Sequence, residues 1–261
     1  MHPPVVAVAL TTLVADPDRR FSALERLYGV QPARRIRAAH VVVVGIGGVG
    51  SWAAEALARS GVNRLTLIDM DHISESNINR QLHALVSTLG QAKVSAMKDR
   101  IHLINPDCEV YAVDEFLTPE NINNLLHDGL DLVIDATDQV SAKVAMAARA
   151  MRTGKPLVMA GAAGGKKMAH LVDMADLSDV SHDPLLAQVR QHLRKMNFSV
   201  KPGTACGVHA VFSKETVKRP ALANSQNADN TLNCHGYGSL VSVTATFGQC
   251  AAGWALNHFS Q

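Results

Sequence analysis

Two kinds of segment alternate along most of the chain. Short apolar runs bounded by polar residues or glycine read as strands: Val41 to Val44, Leu65 to Ile68, Glu109 to Val113, Leu132 to Ile134 and Pro156 to Met159. The β-branched run Val41 to Val44 has no polar side, as expected of a parallel strand buried on both faces. Between the strands the apolar spacing turns helical. Arg19 to Ala39 is helical with an interruption near Gly29 and Pro32, and Gly48 to Ser60 is followed by Gly61 as its C′ residue. Gly90 to Ile104 ends before Asn105-Pro106. Pro119 to His127 opens with Thr118 as N-cap and proline in the first helical position, and Ser141 to Arg152 follows. This alternation predicts an α/β fold, a doubly wound, mostly parallel, Rossmann-like sheet with ligands at the carboxyl ends of its strands.

After Gly165 the rhythm changes. Met168 to Met174 and Val208 to Phe212 read as strands, Asp183 to Met196 as a helix, Lys214 to Cys234 as a polar loop, and Tyr237 to Phe259 as a closing helix. The expected organisation is a loose leader at 1–18, a nucleotide-binding core at 19–165 and a C-terminal α+β extension at 166–261 continuous with the core. The leader's apolar run lacks a preceding basic segment, so it does not read as a signal peptide. Leu240 to Leu256 is long and apolar but carries Ser242, Thr244, Thr246 and Gln249. It reads as a buried helix, with membrane association as the lesser alternative.

Composition adds limits rather than direction. A net charge of +2 over 261 residues neither demands nor excludes nucleic acid. The four cysteines, Cys108, Cys206, Cys234 and Cys250, form no CxxC pair, so no structural zinc is expected. Free thiols suit a reducing, cytoplasmic compartment.

The chemistry gathers after the first strand. Gly45, Gly47, Gly48 and Gly50 allow a tight strand-to-helix turn and let backbone approach phosphate. Alone, that turn fits several dinucleotide sites, and a non-catalytic NAD-binding module remains an alternative. Asp69 ends the second strand, where its carboxylate can accept from ribose hydroxyls. Asp71 is either a turn residue or a ligand. Asn77, Arg80, Gln81 and Lys93 discriminate further, because two cations near one strand end suit a triphosphate losing pyrophosphate. Asp138, after LDLVIDATD, is placed to bind Mg²⁺; Asp135 either shares that role or caps the turn. In the second half Arg190, Arg194, Lys195, Lys201, Lys214, Lys218 and Arg219, with Lys166 and Lys167, offer contacts to RNA phosphates or a solvated surface in equal measure.

In order, GIGGVG (Gly45 to Gly50), Asp69-Met70-Asp71, NINRQ (Asn77 to Gln81), GQAK (Gly90 to Lys93) and Thr137-Asp138 resemble the E1-like activating superfamily of adenylating enzymes. The resemblance implies ATP as cosubstrate, ribose on Asp69, phosphates on Arg80 and Lys93, and Mg²⁺ on Asp138. It also implies a homodimer in which an Arg from the N-terminal helix reaches the partner's nucleotide, with Arg26 the first candidate and Arg20 the second. RFSALERLYG, AGAAGG, GVHAVFSKE and GYGSLVSVTATFG extend the likeness over nearly the whole chain from Arg20, to the tRNA threonylcarbamoyladenosine dehydratase branch. That branch implies ATP-dependent cyclisation of N6-threonylcarbamoyladenosine at position 37 of tRNA and association with a cysteine desulfurase and its sulfur acceptor; Cys234 sits at a family-like position, either as a functional thiol or, the more frequent case, as a buried structural cysteine. GAAGGKK departs from the branch by its two lysines. The alternative enzyme is an adenylyltransferase for the Gly-Gly tail of a ubiquitin-like sulfur carrier, which the missing zinc cysteines disfavour.

Overall fold

The computed structural model describes residues 16–217 and 237–261. Two helices, α1 (Pro17–Tyr28) and α2 (Val30–Ala38), lead into β1 (His40–Val44), which is buried along its whole length. Successive side chains of a strand point to opposite faces. Val41 and Val43 therefore enter one core with α3 (Gly50–Arg59) and α4 (Lys93–Ile104), while Val42 and Val44 enter a second with α6 (Val140–Thr153) and α7 (Pro184–Lys195). A run of four valines thus serves two cores at once.

The strands form one seven-stranded sheet in the order β3-β2-β1-β4-β5-β7-β6. These are β2 (Arg64–Ile68), β3 (Glu109–Val113), β4 (Leu132–Asp135), β5 (Leu157–Ala160), β6 (Val172–Asp176) and β7 (His209–Ser213). All pairings are parallel except β6 with β7. The chain winds from β1 through β2 to β3, then returns to β4 on the other flank of β1. That reversal opens a crevice at the carboxyl ends of β1 and β4, the usual ligand position in a doubly wound sheet. Beyond residue 165 the chain continues the same sheet, with β7 beside β5.

Several element boundaries differ from the sequence expectation, the closing helix for one beginning at Val241 rather than Tyr237, and two of them shift through a local competitor. Helix α4 starts at Lys93 rather than Gly90, because Gly90 and Gln91 exchange backbone hydrogen bonds with Ile73 and Ala92 bridges His72. The helix expected over Pro119 to His127 shrinks to α5 (Ile122–Leu125). Asn121 accepts the Thr118 N–H and donates to the Phe116 carbonyl, holding residues 118–121 in a turn instead. The strand expected from Met168 is a 3₁₀ turn over Ala169–Leu171 before β6 begins.

The last helix, α8 (Val241–Ser260), lies across α3 and the sheet, and its Val243, Phe247, Ala251 and Ala255 are fully buried. No helix among the described residues is long and apolar enough to cross a membrane. The small residues serve helix packing, since a Cβ on Gly248 would stand 2.8 Å from the Trp52 Cβ and run into the Val49 carbonyl oxygen. At its far end Arg35 donates to the Phe259 and Ser260 carbonyls at 3.0 and 2.7 Å. Gly248→Val should therefore lower stability by ~1–3 kcal/mol through overpacking. A urea midpoint equal to that of the unsubstituted chain would contradict this close crossing.

Candidate functional site

The glycine turn divides into two pairs with different duties. Gly45 has φ +86°, and a side chain there would stand 2.9 Å from Ala136 at the end of β4. A Cβ on Gly50 would collide with the Gly45 carbonyl oxygen. These two glycines are required by the chain itself. Gly47 and Gly48 are less confined by the turn's own backbone and are met by side chains instead, with Gln81 Nε2 3.9 Å from a Cβ built on Gly47 and Arg80 Cγ and Thr244 Cγ2 each 3.3 Å from one built on Gly48. A ligand laid on the turn would meet this second pair.

Asp69 links the turn to β2. Its Oδ2 accepts the Ile46 N–H at 2.6 Å and its Oδ1 the Asp71 N–H at 2.8 Å. Burial raises its pKa, against the opposing pull of the Lys93 charge and those two N–H groups. The free lone pairs on both oxygens can still accept hydroxyls. Asp71 takes a defined place as the partner of Lys93, whose Nζ lies 2.6 Å from its Oδ2. Lys93 is buried and Asp71 half-exposed, so this cation sits at the site's wall with two of its three donors uncommitted to that carboxylate.

Arg80 is buried, its stem along Gly48 and its Nη1 donating to the Ser76 carbonyl at 2.7 Å and Asn79 Oδ1 at 2.9 Å. Trp52 Nε1 holds the Arg80 carbonyl at 3.0 Å. Asn77 shapes the loop, its Oδ1 accepting the Ser74 N–H at 3.0 Å. The structure thus brings Asp69, Asn77, Arg80, Gln81 and Lys93 to one side of the glycine turn.

Asp138 stands exposed on the other side, past β4, with Gln139 Nε2 3.4 Å from its Oδ1. It lies two residues after Ala136, whose backbone stands 2.9 Å from a Cβ built on Gly45, so it follows the turn at the carboxyl end of β4. Asp135 does not share an ion-binding role. It is fully buried, accepts from Thr137 N and Oγ1, and pairs with Lys143 Nζ at 3.0 Å. Lys143 also donates to the Ala160 carbonyl at 2.7 Å, pinning the ends of β4 and β5 together.

The remaining candidates are dispersed. Arg20 is committed to the Ile104 carbonyl at 2.5 Å, at the end of α4. Arg26 is exposed, and among the described residues its one hydrogen-bond partner is Ser22 Oγ at 3.5 Å. Tyr28, two residues on, donates to Asn257 Oδ1 at 3.0 Å near the end of α8, whose start holds Thr244 beside Gly48, and the helical stretch between those two residues spans about 20 Å. Arg26 therefore does not reach the glycine turn of its own chain. Arg190 is half-buried on α7, Arg194 donates to the Val200 carbonyl at 2.7 Å, and Lys195 is exposed. Lys166 is not a surface cation as expected: its side chain is fully buried, 3.8 Å from Asp183 Oδ2 and over the Phe247 ring. Lys214 is paired with Asp173 at 2.5 Å. Cys234, Lys218 and Arg219 lie outside the described residues.

No sequence pattern singles out His83, three residues after Arg80. It is buried, and among the described residues neither ring nitrogen has a hydrogen-bond partner; Gln81 Oε1 is likewise unpartnered. Burial, then Lys93 and Arg100, lower the His83 pKa to about 4. Because the unfolded chain binds a proton near pH 6.5 that the folded chain refuses, the stability tied to neutral His83 is complete above about pH 6.5. It declines as pH falls toward about 4. Urea midpoints of a His83→Gln variant should fall less steeply over that window; parallel curves for the two proteins would show that His83 does not titrate this way.

Comparison with known proteins identifies the arrangement. A sequence model of the ThiF family matches residues 20–261. The tRNA threonylcarbamoyladenosine dehydratase of Haemophilus influenzae is 43% identical over 245 residues, covering 93% of this chain and 94% of that protein. The Escherichia coli protein of the same name is 42% identical over 258 residues, covering 95% and 96%. A crystal structure of the E. coli tRNA N6-threonylcarbamoyladenosine dehydratase in complex with ATP superposes with a TM-score of 0.85 at 40% identity, covering 95% of this chain and 96% of that one. With the crevice, the glycine turn and these full-length likenesses in agreement, the chain belongs to the ThiF family and falls with its tRNA threonylcarbamoyladenosine dehydratase branch.

Proposed function

We propose that this protein dehydrates N6-threonylcarbamoyladenosine in tRNA, using ATP to activate the threonyl carboxylate. The observation that carries the reading is the pair of buried cations, Arg80 and Lys93, on the side of the glycine turn where Arg80 lies along Gly48. A dinucleotide's pyrophosphate needs no such clamp, whereas a triphosphate that loses pyrophosphate develops charge there. The full-length relatives supply the substrate class.

A carboxylate is a poor electrophile because its leaving group would be oxide. Attack of a threonyl carboxylate oxygen on the α-phosphorus forms an acyl-adenylate and expels pyrophosphate. The carbamoyl group of the same nucleoside then attacks the acyl carbon, AMP departs and one proton is released. Ring closure is intramolecular and gains from high effective molarity, so no protein nucleophile is required. Asp69 receives the ribose hydroxyls; Arg80 and Lys93 stabilise the phosphate charge that grows during adenylation. Asp138, an exposed oxygen donor on the β4 side of the crevice, fits a hard cation and would hold Mg²⁺, which neutralises triphosphate charge when bound. Arg26, out of reach of its own glycine turn, would serve the nucleotide of a second copy in a homodimer. Arg190, Arg194 and Lys195 on α7 offer phosphate contacts to tRNA.

Pyrophosphate exchange into ATP tests adenylation directly. It should require threonylcarbamoyl-modified tRNA, and Asp138→Ala or Lys93→Ala should reduce it by about 100-fold or more with unfolding midpoints little changed. Exchange at the unsubstituted rate in both variants would remove these residues from the chemistry.

A further inference from the structure

The ribose anchor is on β2, the glycine turn on β1 and Asp138 after β4, so a nucleotide bound as proposed runs from β2 toward β4. The acyl substrate must then approach along the same carboxyl edge from the side of β5 and β7. A cleft of about 340 Å³ opens on that side, between the start of α7 and the segment after β7. His182, Asp183, Arg190, Thr216 and Val217 line it. Strands lie about 4.8 Å apart, so the end of β7 is about 14 Å from the glycine turn.

One buried and one exposed lysine–acid contact set the charge of this cleft. Asp183 caps α7, its Oδ1 accepting the Leu186 N–H at 3.0 Å, while its Oδ2 accepts the Ala162 N–H at 2.9 Å in the turn after β5. Lys166 faces that carboxylate from within, fully buried, at 3.8 Å. Glu215 accepts the N–H groups of Lys167 and Met168 at 2.9 and 2.8 Å, beside the Lys167 charge. With Lys166 and Lys167 balancing Asp183 and Glu215, Arg190 supplies the net positive charge. Among the described residues Arg190 makes one long hydrogen bond, Nη1 to the Leu177 carbonyl at 3.4 Å, so most of its five donors are uncommitted. His182 beside it holds φ 56°, which is uncommon outside glycine and turns the chain into the helix start at the cleft's rim.

We propose that this cleft takes a backbone phosphate of the RNA strand flanking the modified adenosine, with Arg190 as its ligand and the Lys166–Asp183 pair as its neutral floor. The inference rests on the proposed tRNA reaction. It separates Arg190 from Arg194, whose Nε is spent on the Val200 carbonyl. It also gives Lys166 a purpose: without that ammonium, the Asp183 carboxylate would repel the phosphate.

The test is substrate tRNA binding by fluorescence anisotropy across a series of KCl concentrations, alongside ATP binding. One lost phosphate contact on a single strand changes the slope of log K against log salt by about 0.7. Arg190→Gln should flatten the slope by that amount and weaken tRNA binding about tenfold, with ATP affinity unchanged; Arg190→Lys should keep the slope. Thr216→Glu, an exposed substitution on the facing wall, should weaken tRNA binding without relying on any change at Arg190. Arg64→Gln, at the amino edge of the sheet, should change neither measurement. A wild-type slope in Arg190→Gln together with wild-type affinity in Thr216→Glu overturns the inference. Failure of the proposed function looks different: the unsubstituted protein would then form no dehydrated nucleoside, whatever its salt slope.

Discussion

The site depends on a collision that glycine avoids. Any side chain at Gly50 would strike the Gly45 carbonyl, and any at Gly45 would press on Ala136. The turn can therefore close tightly only with glycine at both positions, and closing it draws the ends of β1 and β4 together. Everything else is placed relative to that contact. Asp69 reaches the turn through Ile46, Arg80 lies along Gly48, and Asp138 follows two residues after Ala136. The closing helix completes the wall by bringing Thr244 to Gly48, which it can do because Gly248 lets it cross α3 closely.

One electrostatic device recurs along the carboxyl edge. Lys93 meets Asp71 after β2, Lys143 meets Asp135 at the end of β4, and Lys166 meets Asp183 across the turn after β5. Removing one partner of the sealed Lys143–Asp135 pair leaves an uncompensated buried charge, a loss of ~3–5 kcal/mol. The three pairs differ in how open they are. Lys143 and Asp135 are sealed and act on strand ends; Lys93 keeps an exposed carboxylate partner and faces the crevice. A graded series of this kind lets the same residue types fix the frame in one place and meet phosphate in another.

Much of this was legible in the chain. The valine run, the glycine spacing and the strand-terminal acids are local signals, and each follows from constraints acting within a few residues. Asp69, Arg80, Lys93 and Asp138 gather because each follows a strand whose carboxyl end lies on the same edge. What was not legible depends on partners distant in sequence. Lys166 looks like a surface cation until Asp183 and Phe247, from two later helices, enclose it. Arg20 looks free until the Ile104 carbonyl captures it. The helix after Thr118 failed for a local reason, since the Asn121 side chain competes for the backbone groups that proline and threonine had prepared. His83 carries no pattern at all, because its desolvation comes from tertiary packing alone.

The central claim is that ATP activation ends in loss of water from a modified nucleoside. Mass analysis of nucleosides from threonylcarbamoyl-modified tRNA, incubated with the protein and ATP under mild digestion, tests it most directly. The account predicts a threonylcarbamoyladenosine lighter by one water, formed only with ATP and accompanied by AMP and pyrophosphate. An unchanged nucleoside mass, with ATP consumed instead against a carrier protein's Gly-Gly tail, would contradict it.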